Sequence, residues 1–507
     1  MSLRKRKRQS TSTPESLLLM TPAQSYGGEY GLPISRKDIR DMVSLFHQRH
    51  VPYIPVFTHE EFQDIDYIID HEPRFAYAMC YITARYLPGG REIREALLPE
   101  VSRIPKDVYT AKLGARHDDD LCLLKALIAL YSYADLTPPS QAARQSSKES
   151  LLYWSIKSAA EMYGFRLNLH RSIQELKIEL RTNSAQIYDT KSYKRYTYWL
   201  WLFNSAHYCS LVTGTPPTMR VDLSIRAVPE LLEQIGKYPR STNLFGAVEL
   251  FLIWEKVSSA HPQLGEWWCL PDPTDRADEN LTESLLNETD IAIDAWYSRW
   301  WDYINAEPHG QFLDYHGRFT RFCIASYAIK CLNIPSEGPT DLQRSQIQRC
   351  VSCANNVLEF PLSRGPIEKD NLRYVDDAAC IMVSFCCIFI LSACQAFPSI
   401  IPNISECLDN VTDAGHLMVE LSINQNHKPH IQGLFLLKRV ETLRAALETS
   451  KPHDPHRSNL EEPAEVTLSS PRIESSKLML EGFDQLFHED GLFGIEPIWD
   501  FSLFPGT

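Results

Sequence analysis

The chain has 507 residues, 44% of them hydrophobic and 23% charged, which excludes collagen-like, mucin-like and wholly disordered proteins. Its formal net charge of −13 also excludes a protein whose whole surface coats nucleic acid or an anionic membrane. Only 21 residues are glycine, which disfavours turn-dense β architectures, so we expect an all-α fold: a large multi-helix domain with disordered N- and C-terminal tails.

Residues 1–34 begin with a basic run and continue with Ser, Thr, Pro and Gly. Such a segment cannot bury enough apolar surface to offset chain entropy, so we expect a disordered tail. Consecutive positive charges on a flexible segment suit the acidic grooves of an importin, with nonspecific phosphate contact or a plain solvated tail as alternatives. The predicted nuclear-import residues are Arg4, Lys5, Arg6, Lys7 and Arg8.

The first residues lack the apolar run of a secretory signal, which predicts a reducing compartment. The 13 cysteines are an odd number with irregular spacing, and this argues against a disulfide framework. We therefore expect most of them to be thiols.

Residues 35–447 are predicted to form the helical body. Ser35 and Asp38 have capping-box spacing and begin a helix over 36–50. Pro52 and Pro55 then predict an extended stretch, until Thr58 and Glu61 give a second capping box. Further helices are predicted near 73–87, 119–135, 147–164, 191–212, 243–261, 282–304, 316–332, 341–358, 372–396, 405–424 and 430–447.

The most informative stretch of the body is the aromatic-rich segment 191–219. Its apolar stripe faces the core, while basic residues keep the first turns in water. Glycine supplies the left-handed cap that ends the helix, and the two prolines that follow cannot continue it. The structural-motif residues that we single out are Arg195, Trp199, Gly214, Pro216 and Pro217.

Three stretches together carry a resemblance to a known family: LFHQRHVPYIPVFTHEEF (45–62), SLLYWSIKSAAEMYGFRLNLHR (150–171), and KRYTYWLWLFNSAHYCSLVTGTPPTM (194–219) followed by VDLSIRAVP. In order and spacing they resemble the regulatory middle domain of fungal zinc-cluster transcription factors, over about 185 residues. The resemblance implies a nuclear transcription regulator whose all-helical middle domain controls activity and receives a metabolite or partner signal.

The chain departs from the family pattern in two ways. Where the family usually has Asp-Arg, and later Gly-Arg-Pro, this chain has Ala206-His207 and Thr215 after the glycine. No cysteine precedes Cys80, so the six-cysteine DNA-binding module that binds two zinc ions is missing. Either an upstream exon has been lost from the gene model, or the protein regulates without binding DNA itself. We therefore expect no cofactor in this chain, with zinc only if an upstream cluster exists.

An enzyme alternative rests on magnesium-type spacing. Asn280, Ser284 and Glu288 fall at i, i+4 and i+8, as in class I terpenoid synthases, and 118–120 is a run of three aspartates. Both motifs are incomplete, because position 122 is Cys122 and the residue after Asn280 is leucine. A helical scaffold without a transcriptional role is a third hypothesis.

Two other candidate sites are better explained by packing. Cys350 and Cys353 lack a second pair at zinc-ribbon spacing and are predicted to be buried thiols. His47, His50 and His59 share no ligand spacing and are predicted to be surface or turn histidines. We assign no metal or catalytic residue, and we expect a non-enzyme.

The segment 378–397, AACIMVSFCCIFILSACQAF, carries no charge and approaches membrane-spanning length. Its serines and cysteines dilute the hydropathy, and no basic cluster follows to anchor it. We therefore predict a central buried helix and no membrane partner.

Residues 448–477 are polar and contain four prolines, which predicts a disordered linker. Residues 478–507 alternate acidic and aromatic side chains, the composition of an acidic activation segment that folds onto a coactivator groove. A last helix docked on the body is the alternative. The predicted contact residues are Phe483, Phe487, Phe493, Trp499, Phe501 and Phe504.

Together these features predict a nuclear regulator of RNA polymerase II transcription, acting on a metabolic or biosynthetic pathway. Its expected partners are a coactivator or the transcription machinery, an importin, and DNA contacted directly or through a partner regulator; a homodimer is left open. We hypothesise that the middle domain restrains or displays the acidic tail, with a ligand or partner shifting the balance.

Overall fold

A computed structural model gives the architecture and describes residues 34–110, 117–134, 153–182, 184–236, 241–260, 279–306, 310–330, 332, 338–425 and 427–449. Within those ranges the chain is helical and has no β-strand, which confirms the all-α prediction. The predicted import run and activation segment lie outside the described residues.

The helices of the first half alternate with short 3-10 turns at Val51–Tyr53, Glu60–Phe62, Ala84–Tyr86, Leu169–Arg171 and Ser184–Asp189. Their bounds are α1 Arg36–Arg49, α2 Ile65–His71, α3 Pro73–Thr83, α4 Gly90–Val101, α5 Ile104–Thr110, α6 His117–Ser132, α7 Tyr153–Arg166, α8 Ser172–Thr182, α9 Lys191–Thr213, α10 Leu223–Arg226, α11 Val228–Ile235 and α12 Thr242–Ala260.

The second half has longer helices and one further 3-10 turn at Leu372–Tyr374. Their bounds are α13 Glu279–Ala306, α14 Gly310–Lys330, α15 Asp341–Leu362, α16 Pro366–Asn371, α17 Asp377–Ala396, α18 Ile404–Leu421 and α19 Lys428–Thr449. The first two residues predicted as linker, 448 and 449, belong to the last turn of α19.

The start of the body follows the local sequence signals in part. Ser35 and Asp38 form the predicted capping box of α1, because each side chain bonds to the other residue's backbone N–H. The extended stretch predicted after it is wrong: Val51–Tyr53 is a 3-10 turn, since proline at a first helical position costs no hydrogen bond. Thr58 N–H donates to Glu61, as predicted, but the bond opens only the 3-10 turn Glu60–Phe62.

The long α9 lies at the centre of the packing. It contacts α7, α8, α12 and α17, and most of its side chains are buried on every face. The helices of the second half then pack on their neighbours in chain order, from α12 through α15, and α17 is covered by α15, α18 and α19. Buried side chains from α1 to α19 form one continuous apolar core.

Helix α17 is the uncharged segment noted in the sequence. It is long and apolar enough to cross a membrane by length and composition, and 72% of its apolar window is buried inside the protein. Its neighbours α15, α18 and α19 supply the cover. The predicted central buried helix is therefore what the structure contains.

The pair α18 and α19 crosses where two glycines meet. A Cβ atom added at Gly433 would lie 2.6 Å from the carbonyl oxygen of Gly415 and 2.8 Å from a methyl group of Val419. Glycine thus allows the two backbones to approach more closely than any other residue would.

Replacing Gly433 with alanine is therefore expected to lower the free energy of unfolding by about 1–3 kcal/mol, because the clash outweighs the better helix propensity of alanine. Chemical denaturation measures the change. Gly365→Ala is the matched control, since the nearest atom to an added Cβ there is 3.8 Å away. Equal stability of the two variants would contradict the close-packing argument.

Candidate functional site

The segments that carry the family resemblance meet around the first half of α9. Glu61, from the first segment, forms ion pairs with Lys194 on α9 and, at 3.4 Å, with Lys125 on α6. Lys125 also contacts Glu72 at 2.9 Å. Burial alone would raise the pKa of Glu61, but the two lysines outweigh it and hold this pKa below its usual range. A largely buried charge cluster of Glu61, Glu72, Lys125 and Lys194 thus joins the 3-10 turn at Glu60–Phe62, the junction of α2 and α3, α6 and α9.

The 150–171 segment and the VDLSIRAVP segment (221–229) contact the same helix. The guanidinium of Arg195 donates to the carbonyl oxygen of Leu167, at the end of the 150–171 segment. The indole N–H of Trp199 donates to Ser224 Oγ at 2.8 Å, and the Tyr196 hydroxyl donates to the Ser224 carbonyl at 2.6 Å. Arg195 and Trp199 therefore position the neighbouring chain segments.

The end of α9 has the predicted geometry. Gly214 adopts a left-handed φ of 61° and caps the helix. Pro216 is exposed and Pro217 half-buried just beyond it, and the chain then turns back so that Thr218 accepts from Lys157 at 2.7 Å. The glycine and the prolines therefore serve chain reversal.

At the positions where the family pattern has charges, this chain has a neutral, buried pair. Ala206 and His207 are both buried, and His207 Nδ1 lies 3.0 Å from the carbonyl oxygen of Phe203. Burial lowers the pKa of His207 to about 4, so its ring is uncharged at neutral pH.

A cavity of about 230 Å³ lies between the two halves of the body. Its walls come from the loop after α1, the ends of α6 and α7, the second half of α9, and α12, α14, α15, α17 and α18. Most lining side chains are aromatic or aliphatic, which is typical of pockets that bind small molecules. The largest of them are Tyr53, Tyr131, Tyr153, Trp201, Tyr208, Phe312, Tyr315 and Phe360.

Polar residues also line the cavity, among them Asn204, Tyr208, His316 and Asp376. On α9, Asn204 Oδ1 and the hydroxyl of Tyr208 are buried and have no hydrogen-bond partner among the described residues. On α14, the His316 ring lies 4.6 Å from the ring of Tyr208, and burial lowers the pKa of His316 to about 4. Asp376 caps α17 by accepting the Ala379 N–H at 3.0 Å. Burial, with neighbouring Asp377, raises the pKa of Asp376 to about 6.

The wall containing Asp376 is held by side chains from the first half of the chain. Arg49 donates to Asn371 Oδ1 at 2.8 Å, and Tyr53 donates to the Asn371 carbonyl at 2.7 Å. Tyr133 donates to the Tyr374 carbonyl at 2.8 Å, and Arg85 pairs with Asp377 at 3.3 Å. We call this set of contacts the seam: it joins the two halves beside the cavity.

His50 lies within the seam, and the prediction that it is a surface or turn residue is wrong. It is fully buried, with ring centroids of Tyr86 and Tyr133 at 4.8 and 4.7 Å and that of Tyr374 at 5.5 Å. Burial lowers the pKa of His50 to about 3. Its cage comes from residues distant in the sequence, so local patterns could not reveal it.

The other sequence candidates lie away from the cavity. Cys350 and Cys353 are buried thiols in α15, as predicted. Asn280, Ser284 and Glu288 are exposed on α13 and are not among the cavity residues, so the magnesium arrangement of a terpenoid synthase has no geometric support there. The side chains of 118–120 are not described by the structure. Among the residues that it does describe, no group of three or more His, Cys, Asp or Glu side chains could hold a metal ion.

Sequence reasoning missed Asp376 as a site residue. The available signal was an aspartate pair immediately before an uncharged helix. A carboxylate that caps a buried helix is placed inside the protein by that role.

Comparisons with known proteins give one relative. The transcriptional activator of proteases prtT from Emericella nidulans is 25% identical to this chain over 261 residues. The alignment covers 48% of this chain and 36% of that protein, so the chain spans little more than a third of the relative's length. No protein-family model and no solved structure matches the chain. The similarity supports a general role in transcription regulation and a likeness to fungal transcription factors.

Proposed function

We propose that this chain is a nuclear transcription regulator of the fungal zinc-cluster kind that acts without catalysis. The observation that carries the proposal is the similarity to a transcriptional activator. The meeting of the resembling segments around α9 adds to it, since Glu61, Arg195 and Trp199 tie those segments into one unit.

In the proposed mechanism the body presents or restrains the acidic tail, and the tail recruits a coactivator of RNA polymerase II. The basic run Arg4–Arg8 carries the protein into the nucleus by binding an importin. DNA is reached through a partner regulator or through a zinc cluster supplied upstream. The regulated genes belong to a metabolic or biosynthetic pathway.

The test is a reporter assay in yeast with the full chain fused to a bacterial DNA-binding domain. Replacing the six aromatic contact residues of 478–507 with alanine is expected to lower reporter output about ten-fold or more, because aromatic anchors dominate such interfaces. The double replacement of Ser475 and Ser476 with alanine, in the adjoining linker, is the control and should leave output unchanged. If the unmodified fusion gives no reporter output, the hypothesis of a helical scaffold without a transcriptional role is favoured.

A second arm addresses localisation. Replacing Arg4, Lys5, Arg6, Lys7 and Arg8 with alanine in a fluorescent fusion should move the protein from the nucleus to the cytoplasm, because importin grooves bind consecutive cations. If the variant remains nuclear, the proposal that Arg4–Arg8 directs nuclear import is contradicted.

A further inference from the structure

The charged side chains that line the cavity all carry the same sign. Among the described lining residues there are two carboxylates, Asp376 and Asp377, and no lysine or arginine. Burying an anionic ligand here would place like charges together without compensation, which is costly in an apolar site. Dicarboxylates and phosphates are therefore poor occupants of this cavity.

The two carboxylates differ in their partners. Asp377 is paired with Arg85 at 3.3 Å and has His427 at 3.8 Å. Asp376 makes no ion pair within the described chain and accepts the Ala379 N–H at the start of α17. A ligand that carries a positive charge therefore has one unpaired carboxylate to meet.

The remaining lining suits the body of such a ligand. Aromatic rings such as Tyr53, Phe312 and Tyr315 attract a cation through their negatively charged faces and also bury apolar surface. Asn204 Oδ1 is free to accept a hydrogen bond from a second donor on a ligand, and the Tyr208 hydroxyl can donate or accept. The volume of about 230 Å³ lies just below the range typical of drug-sized ligands.

We propose that the cavity binds a compact organic amine as a monocation, whose ammonium pairs with Asp376 and whose aromatic or aliphatic body lies between α9, α14 and α17. The binding is noncovalent and independent of the transcriptional role, so its test measures affinity alone. Because α17 also borders the seam, the ligand contacts elements from both halves of the body.

Isothermal titration calorimetry on the purified full chain at neutral pH tests this with three probes of the same skeleton: tryptamine, tryptophol and indole-3-acetate. Tryptamine is expected to bind about ten-fold or more tightly than neutral tryptophol, because a charge-assisted hydrogen bond is added. Indole-3-acetate should show no binding. Equal affinity for the cation and the anion, or no binding of tryptamine, would overturn the proposal.

Asp376→Asn removes the charge and keeps a side chain that can cap α17. It should weaken tryptamine binding about ten-fold or more while leaving tryptophol unaffected. Asp64→Asn is the matched control, because Asp64 caps α2 in the same way at an exposed position outside the cavity. Unchanged tryptamine affinity in Asp376→Asn would overturn the pairing.

A second variant covers the case in which Asp376→Asn fails to fold. Val383→Phe adds bulk to the α17 wall of the cavity and leaves Asp376 intact. It should abolish binding of both tryptamine and tryptophol. Retained binding in this variant would place the ligand elsewhere and overturn the assignment.

Discussion

Replacing Glu61 with glutamine is expected to lower the free energy of unfolding by about 3 kcal/mol, because the buried Lys125 and the partly exposed Lys194 both lose a carboxylate partner. This figure is at the lower end for a broken buried ion pair, since Lys125 keeps Glu72 and the Lys194 side chain is 36% exposed. Urea denaturation followed by circular dichroism measures the change.

The matched control is Glu95→Gln, which breaks a solvent-screened, exposed pair with Arg91 and should lower the free energy of unfolding far less. The double variant Glu61→Gln with Lys194→Met should recover part of the loss, because it removes one of the uncompensated charges. A Glu61 variant as stable as the Glu95 variant would show that the charge cluster contributes nothing to holding the 45–62 segment on α9.

Acidification from pH 7 to pH 5 is expected to destabilise the fold by several kcal/mol, through the buried histidines His50, His207 and His316. Their pKa values are lowered by burial to about 3, 4 and 4. The unfolded chain takes up protons below about pH 6.5 and the folded chain does not, so stability is present above that pH and lost below it. At pH 5 each of these histidines is expected to lower the free energy of unfolding by about 2 kcal/mol.

Asp376 acts in the opposite direction. Its pKa is raised to about 6, so protonation as the pH falls to 5 relieves about 1 kcal/mol of its burial cost. The net loss between pH 7 and pH 5 is therefore dominated by the three histidines.

Urea denaturation at both pH values provides the test. His50→Phe should reduce the loss between pH 7 and pH 5 by about 2 kcal/mol whatever its stability at pH 7, because its aromatic ring cannot take up a proton. His71→Gln is the control at an exposed position and should leave the pH dependence unchanged. A His50 variant with the same pH dependence as the unmodified protein would contradict its burial in the neutral form.

The sequence predicted the long helices because their signals are local. Capping residues and apolar periodicity placed α1, α9, α15 and α17 close to their observed bounds. The left-handed glycine at the end of α9 was equally visible. Each of these features is determined within one or two helical turns.

The missed elements are those whose stability comes from tertiary contacts. Helices α4, α5 and α8 are short; α4 begins with glycine and contains Pro99, and neither favours a helix in isolation. Burial of α4 and α5 against the body compensates for this. Local propensity therefore understated the helical content.

The cavity could not be predicted, because no single segment contains it. Its lining is drawn from elements between the loop after α1 and α18, and its polar residues come from several of them. Periodicity identifies a residue as buried and says nothing about which distant residue lies opposite. The sequence shows Asp376 as a charged residue before an apolar helix. Only the tertiary packing shows that it lines a cavity.

The seam has a consequence for biosynthesis. Arg49 bonds to a residue 322 positions later, so at about 5–20 residues per second the first helix waits roughly 16 seconds or more for its partner to leave the ribosome. During that interval the aromatic side chains around His50 lack the contact with Tyr374 and stay exposed. Chaperones bind exposed apolar surfaces of this kind. Truncated transcripts that end before residue 371 should accordingly yield aggregates in the cell instead of a smaller working protein.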